Sequence, residues 1–400
     1  MRPRKRRAWL GGLLVAAASV VSGALALGEE SRLSADYWRL PLPVQGEAPA
    51  HWPEIERTLT PEACGACHAE QLTDWRTSLH AKAFSPGLVG QLLAYSAEEA
   101  GECMNCHAPL AEQKSAFAAA LGKGAGHRAE DQGLAASGNS CAGCHLRGHS
   151  RFGPPQRGTG AVGPGDASAP HGGAMRTADF ERAEFCAACH QFPPDQAVNG
   201  KPLQNTVEEW RASPQAARGE TCQSCHMPGR RHLWRGIHDP GMVAAGVTPR
   251  FSAGRDAARF TLINSGVGHA FPTYVTPKVL LRGVMLDEAD RPISGSQAEV
   301  VIGRRVEQVD GNWVERSDTR LLPGASIELV LPWKGAQGAR LWLEVAPDDF
   351  YDHEVYDGLL AALPKGSPAA QLIAEADRRA RQGRFRLFET VLRPPPEPKN

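Results

Sequence analysis

Apolar and polar residues are patterned differently in the two halves of the chain. Residues 29–60 are broken by prolines and show no clear period. Thr60-Pro61-Glu62 then reads as a cap, a first-turn proline and an early acid, which predicts a helix start. Leu72, Trp75 and Leu79 carry an apolar face onward at i, i+3 and i+7. From Gly153 to Gly173 glycine and proline dominate, as in a long surface loop or linker. After His238 the pattern alternates. Strands are predicted at Arg259–Ile263, Lys278–Leu286, Glu299–Ile302, Ser326–Leu331 and Ala339–Val345, separated by Asn-Ser-Gly, Asp-Glu-Ala-Asp, Asp-Gly-Asn and Pro-Gly turns. Short strands at this spacing suggest a small β-sandwich over 248–360. Ser367-Pro368 caps an amphipathic helix that stops near Gly383, a strand-like stretch follows from Arg384 to Leu392, and 393–400 is a proline-rich tail expected to be disordered.

Every cysteine in the chain falls in one of five Cys-x-x-Cys-His motifs: Cys64/Cys67/His68, Cys103/Cys106/His107, Cys141/Cys144/His145, Cys186/Cys189/His190 and Cys222/Cys225/His226. Two thiols three positions apart on one turn can each form a thioether to a haem vinyl group, and the adjacent imidazole then reaches the iron. Disulfides or zinc would account for paired cysteines. Neither accounts for a histidine after every second one, so five covalently attached haem c groups are expected. The motif starts recur 39, 38, 45 and 36 residues apart, too irregularly for a solenoid. The expected fold is a mostly α multihaem lobe with little regular sheet over 61–245, followed by a small β-sandwich-like C-terminal domain and a terminal helix within 361–392. Low aromatic content, 6%, suits a core made partly of porphyrin.

The N-terminus opens Met-Arg-Pro-Arg-Lys-Arg-Arg, runs uncharged from Ala8 to Gly28, and contains Ala24-Leu25-Ala26, which fits a small-residue cleavage site. Residues 1–28 therefore predict export to the periplasm, as a signal peptide or as an N-terminal anchor tethering the protein through residues 8–28. Richness in Ala, Gly and Ser favours cleavage. Loss of residues 1–26 removes five basic residues and no acid, leaving 39 basic against 44 acidic residues, a formal charge of −5. Such a surface is unsuited to nucleic acid and suits redox proteins with basic patches, in the periplasm or at the membrane.

Nine histidines lie outside the motifs, and a surplus beside five irons points to distal ligation. His80, just past the Trp75-Arg76-Thr77-Ser78 turn, is the strongest candidate. His149 lies too near its own motif and would serve a neighbour. His171 and His238 sit beside segment edges, and His269, in Gly266-Val267-Gly268-His269-Ala270-Phe271-Pro272, would reach back from the β domain. His127 and His232 are reserves, and His51 and His353 are read as unrelated to iron.

The run from Cys64 to His68 followed by Gln71, Trp75, Ser78 and His80-Ala81, with Trp210-x-x-Ser213 leading into Cys222–His226-Met227-Pro228, resembles multihaem cytochromes related to hydroxylamine oxidoreductase and its tetrahaem electron-acceptor cytochrome. The resemblance covers about residues 60–240. It implies a mostly helical lobe, closely paired haems and mainly bis-histidine ligation. Three departures stand out: Gln215 replaces a histidine in the second copy of the Trp-x-x-Ser turn, no motif ends in lysine as at the active haem of pentahaem nitrite reductases, and the β domain falls outside the best-known members.

The favoured expectation is an electron carrier, because the distal candidates suffice to saturate every iron. The alternative is a reductase or other oxidoreductase acting on a nitrogen or sulfur compound at one open-coordinate haem, with Arg147, Arg151, His127 or His232 nearby. Whether the protein is an enzyme stays open at this point. A docking role for the β domain is compatible with either.

Overall fold

The computed structural model describes residues 32–122, 133–157 and 169–396. The expected signal or tether, His127 and the middle of the Gly/Pro linker lie outside the described residues, as does the side chain of His353. No helix among the described residues is long and apolar enough to cross a membrane.

The lobe is built of short helices held by their caps. Pro61 opens Pro61–Gly65 as its sequence predicts, although the Thr60 side chain makes no cap bond. Ser85 accepts from the Leu88 amide at the head of Pro86–Leu92. Ser96 and Glu99 form a reciprocal capping box on Ala97–His107. Sheet in the lobe is limited, among the described residues, to pairings of two to four residues such as Leu146–Arg147 with Ser150–Gly153 and Ala197–Val198 with Lys201–Pro202. Apolar clusters there are small, one joining Phe84, Val89, Leu92, Met104 and Phe117, another Leu42, Leu110, Ala142 and Leu146. The lead-in wraps onto the third motif: the Tyr37 hydroxyl donates to the Cys144 carbonyl at 2.7 Å, and the Arg147 guanidinium lies 4.0 Å over the Tyr37 ring.

The C-terminal half is a sandwich. Its strands are β1 (Val247–Ala253), β2 (Ala257–Asn264), β3 (Lys278–Leu286), β4 (Ala298–Ile302), β5 (Arg304–Val309), β6 (Asn312–Asp318), β7 (Ser326–Pro332), β8 (Gly338–Ala346) and β9 (Phe385–Leu392). One antiparallel sheet runs β7-β2-β1 and the other β9-β8-β3-β4, with β5-β6 as a separate hairpin. Inward residues of both sheets form the largest core of the molecule, with Phe260, Leu262, Leu281, Ile302, Leu341 and Leu343 fully buried. The five expected strands are all present within one or two residues. β1, β5 and β6 were not anticipated. β9 pairs with β8 from Ala339↔Leu392 to Val345↔Phe385, so the last strand belongs to the sandwich, beyond the 248–360 span expected for it.

The helix Pro368–Gln382 is capped by Ser367. It returns to the lobe and lies on Pro86–Leu92, where a Cβ on Gly90 would stand 2.7 Å from Ile373. The two halves are further joined by buried charge. Arg320 donates to Glu209 at 3.0 Å and to Asp318 at 2.8 Å, while Arg304 donates to the Pro202 and Val198 carbonyls at 2.6 and 2.7 Å.

Candidate haem sites

Each motif occupies about one helical turn. The second ends Ala97–His107, the third is Cys141–His145, the fourth ends Glu184–His190 and the fifth is Cys222–His226. The first begins in Pro61–Gly65 and leaves His68 just before Ala69–Thr77. This turn brings both thiols and the imidazole to one side of the backbone. None of the ten cysteines is in a disulfide. Among the described residues no three His, Cys, Asp or Glu side chains converge as a zinc site requires.

The imidazoles are set for iron by their second nitrogen. His107 turns Nδ1 to the Ala83 carbonyl at 3.1 Å, His145 to Phe152 at 2.8 Å and His226 to Arg235 at 2.6 Å. His190 Nδ1 meets the Gln204 side-chain amide at 2.9 Å. A carbonyl at Nδ1 fixes the ring proton there and leaves the Nε2 lone pair of His107, His145 and His226 to face a metal. Burial pushes His190 and His145 down to about 4, which favours the neutral imidazole.

Three of these histidines have a second ring opposite. His80 lies 6.2 Å from His190 between ring centres, His232 lies 6.3 Å from His145 and His269 lies 6.4 Å from His226, with interplanar angles of 41°, 34° and 12°. Two imidazoles on opposite sides of one metal, each with a bond of about 2.0–2.1 Å and about 1.2 Å more from nitrogen to ring centre, stand about 6.4 Å apart. His232 and His269 also turn Nδ1 to carbonyls, of Arg230 at 3.0 Å and Ala270 at 2.9 Å. Burial lowers His80 to about 3 and His269 to about 4.

The remaining candidates divide. His171 turns Nδ1 to the Gly173 carbonyl at 3.1 Å, and burial lowers it, with His68 near enough to add to the effect. His149 does the reverse: its Nε2 meets the Gly46 carbonyl at 2.8 Å, which ties the lead-in to the lobe. His238 directs Nε2 to the Asp348 carboxylate at 3.0 Å. His232, a reserve on sequence, is the ring that faces His145. Its only sequence signal is the neighbouring Trp234, whose ring packs 5.1 Å from it and 4.7 Å from His80. Arg147 and Arg151 are both tied to backbone carbonyls, of Tyr37 at 2.7 Å and of Glu56 at 2.8 Å.

The Trp-x-x-Ser turn occurs twice in one shape. The Ser78 amide donates to the Trp75 carbonyl and the Ser213 amide to the Trp210 carbonyl, each at 2.8 Å. In the second copy Gln215 lies under the β-domain loop, and a Cβ on Gly268 would come within 3.0 Å of it. A side chain at 268 would crowd Gln215, so glycine eases the loop's close approach, and the next residue is His269. Asn264, 1% exposed, donates to the His269 and Leu321 carbonyls at 3.0 and 2.9 Å and accepts from the Val267 amide at 3.1 Å. The Ala270 amide donates to Glu209 at 3.1 Å. Burial raises the Glu209 carboxyl, against the lowering effect of Arg320.

Cysteines of different motifs also meet. Cys64 is in hydrogen-bonding contact with Cys141, Cys106 with Cys189, and Cys186 with Cys222. Cys144 lies near enough to Cys186 and Cys189 to raise both. The motifs therefore neighbour one another in the order first, third, fourth, with the second and fifth both beside the fourth.

The ten expected attachment points are not equivalent in this arrangement. Cys67 and Cys225 are exposed, whereas the other eight cysteines are half-buried. Both are the second thiol of a motif that ends a row. In each of those motifs the first thiol, Cys64 or Cys222, meets a neighbouring motif's cysteine, and the second is left on the outer side. Cys67 lies past the end of Pro61–Gly65, with His68 exposed beside it, and Cys225 has the Ser224 hydroxyl at 3.8 Å as its polar neighbour. Exposure is compatible with attachment, because a thioether forms at the rim of the porphyrin, and a thiol that is to react must be reachable.

The family model of cytochrome c554 and c-prime matches residues 63–145, which hold the first three motifs. No curated protein matches the sequence. In fold the chain is similar to a penta-heme cytochrome c552 from Thermochromatium tepidum, with a TM-score of 0.52 and 20% identity over 74% of this chain and 92% of that one. Both likenesses lie with multihaem c-type cytochromes.

Proposed function

We propose that this chain is an exported pentahaem c-type cytochrome that carries electrons along covalently bound, mainly bis-histidine haems. The observation that carries the reading is the set of three histidine pairs at the separation one iron requires. Motif histidines His68, His107, His145, His190 and His226 are the proximal ligands. His80 completes the fourth site, His232 the third, His269 the fifth and, with its free Nε2 near His68, His171 the first. The haems supply the redox chemistry. The chain's residues fix Nδ1 of His107, His145, His226, His232, His269 and His171 on backbone carbonyls, and ligand orientation and burial are the levers that set potential. Contact between cysteines of neighbouring motifs supports close haem packing and a branched path with the fourth haem at its centre. The basic N-terminal cluster followed by an uncharged stretch supports export.

Mass spectrometry of the purified protein should show five added haems. Ferric EPR should show low-spin signals for four of them. Fewer than four would remove the ligand pairs.

A second reading is favoured by one observation. Among the described residues, which leave out His127 and the side chain of His353, no histidine ring is paired with His107, and an open position on the second iron is what a substrate-binding haem requires. One high-spin ferric signal per molecule tests it.

A further inference from the structure

The fourth motif is followed at once by a loop that folds back on it. After His190 the Phe192 amide donates to the Gln204 carbonyl at 2.9 Å, and Gln191 forms an isolated bridge with Asn205. The Gln191 side chain donates to Asn205 Oδ1 at 2.9 Å and accepts from the Glu208 amide at 3.2 Å. Between these ends the loop closes as the pairing of Ala197–Val198 with Lys201–Pro202. Arg304, whose side chain has no exposed surface, donates to the carbonyls of Val198, Lys201 and Pro202 at 2.7, 3.0 and 2.6 Å. On the outgoing side the helix Thr206–Arg211 is held to the β domain, with the Thr206 hydroxyl 2.7 Å from that of Thr273 and Glu209 on the Ala270 amide at 3.1 Å. Gln204 is therefore fixed at its backbone from both the motif and the β domain, and its side-chain amide reaches His190 Nδ1 at 2.9 Å.

That contact differs in kind from its counterparts. Nδ1 of His107, His145 and His226 faces a backbone carbonyl, which any residue type supplies. At His190 the partner is a side chain, so the identity of residue 204 decides what the ring meets. The two ends of a terminal amide are alike in shape, and the bonding network decides which one faces the ring. Gln204 Nε2 is the nearer end here, and turning the amide over puts Oε1 in its place. With His190 Nε2 on iron the ring proton is on Nδ1, and the amide oxygen is the end that accepts it. How strongly the partner draws on that proton sets the basicity of the ligand, and with it the balance between ferric and ferrous iron.

We propose that Gln204 is a positioning residue for the proximal ligand of the fourth haem: its amide oxygen accepts the His190 Nδ1 proton and so sets the potential of that haem. This rests on the reading of His190 and His80 as ligands of one iron and goes beyond it by assigning the group that tunes them. A stronger acceptor at 204 favours ferric iron and a missing acceptor favours ferrous iron, which gives the role a sign. In the branched path the fourth haem is the centre, so its midpoint governs whether an electron pauses there or passes on. Through Arg304 the β domain also holds the loop that carries Gln204, in addition to supplying His269.

The test is a spectroelectrochemical titration with ferric EPR of the full-length, haem-loaded protein and of its Gln204→Glu and Gln204→Leu variants. At a fixed potential Gln204→Glu should move the oxidised-to-reduced ratio of one haem about tenfold towards oxidised, a midpoint lower by about 59 mV for one electron. The same variant should narrow the spread of g values of one low-spin signal, as a more basic imidazole does. Gln204→Leu should shift the same haem the opposite way. Should the leucine variant fail to load five haems, the Gln204→Glu midpoint and its narrowed signal decide the matter. A parent protein with fewer than four low-spin ferric signals overturns the bis-histidine reading itself. With those signals present, unshifted midpoints in Gln204→Glu, shifts of one sign in both variants, or equal shifts across several haems overturn the role of Gln204 alone.

Discussion

Asn264→Ala isolates the link between the β-sandwich and the fifth haem. The residue is 1% exposed, and its side chain makes two donor bonds and accepts one, all to backbone groups of the segment that carries His269 or of the adjoining Leu321. Its own backbone bonds to Ala325 and Gly324 survive the substitution. Three lost bonds at about 1 kcal/mol each, leaving buried partners unsatisfied, come to about 3 kcal/mol. That loss falls on the loop, because the sandwich core is untouched. Hydrogen exchange across 264–272 should therefore quicken by about a hundredfold while the β2 and β3 interiors exchange as before. EPR supplies a second reading. The His226 and His269 rings are near parallel at 12°, against 34° and 41° for the other two pairs, so their haem should give the most rhombic low-spin signal. In the variant that signal should weaken in favour of a high-spin one. Unchanged exchange across 264–272 together with an unchanged rhombic signal would refute the assignment of Asn264 as the brace of this ligand.

Three further outcomes are expected. His232→Met should raise the midpoint potential of one haem, the third, in a spectroelectrochemical titration, since methionine favours the reduced iron; five unshifted midpoints would exclude His232 as a ligand. Asp74 accepts from Arg231 Nε at 2.6 Å and from the His232 amide at 3.1 Å, and the Arg231 bond first of all holds its carboxyl below the usual range. A carboxyl lowered on folding stabilises fully above its unfolded value of about 3.9 and loses that contribution as pH falls through the folded one. Acidification below about pH 4 should therefore loosen the His145/His232 low-spin signal, and Asp74→Asn should remove that pH dependence; a variant titrating like the parent would contradict it. Phe260→Ala, at a position with no exposed surface in the sandwich core, should cost about 3–5 kcal/mol of β-domain stability in denaturant while haem spectra of the first four sites persist.

The parts of the fold that sequence made legible are those whose chemistry is local. Covalent haem attachment needs five contiguous residues, so all five motifs read directly. Their settings did not: that Cys67 and Cys225 stand exposed while Cys64 and Cys222 meet other motifs follows from which motifs pack together. Alternation revealed β2, β3, β4, β7 and β8 because each has one face on a common core. β5 and β6 stayed hidden because Arg304-Arg305-Val306-Glu307-Gln308-Val309 and Asn312–Asp318 form a largely solvated hairpin, whose order comes from ion pairs such as Arg304 with Glu315 at 2.7 Å. Distal ligands were only partly legible. Nothing within five residues of His232 or His149 says which one has its Nδ1 bound by a carbonyl and which its Nε2. That is decided where segments from distant parts of the chain come together. The Gln215 substitution was visible as a missing histidine, but its complement, His269 lying over it from another domain, emerges only in three dimensions.

The neighbour order of the motifs constrains how such a molecule is made. A motif can receive its haem while the chain is extended, since both thiols and the proximal histidine are adjacent. The opposite ligand is elsewhere: His80 meets His190 across 110 positions, and His226 awaits His269 in a domain synthesised afterwards. With these pairings, attachment comes first and folding closes the coordination shells later, from several directions at once. The C-terminal half is then the last part of the assembly to arrive and the part that seals it. A chain stopped at residue 246 would hold five haems and lack the fifth site's second histidine, leaving that iron open to whatever the compartment contains.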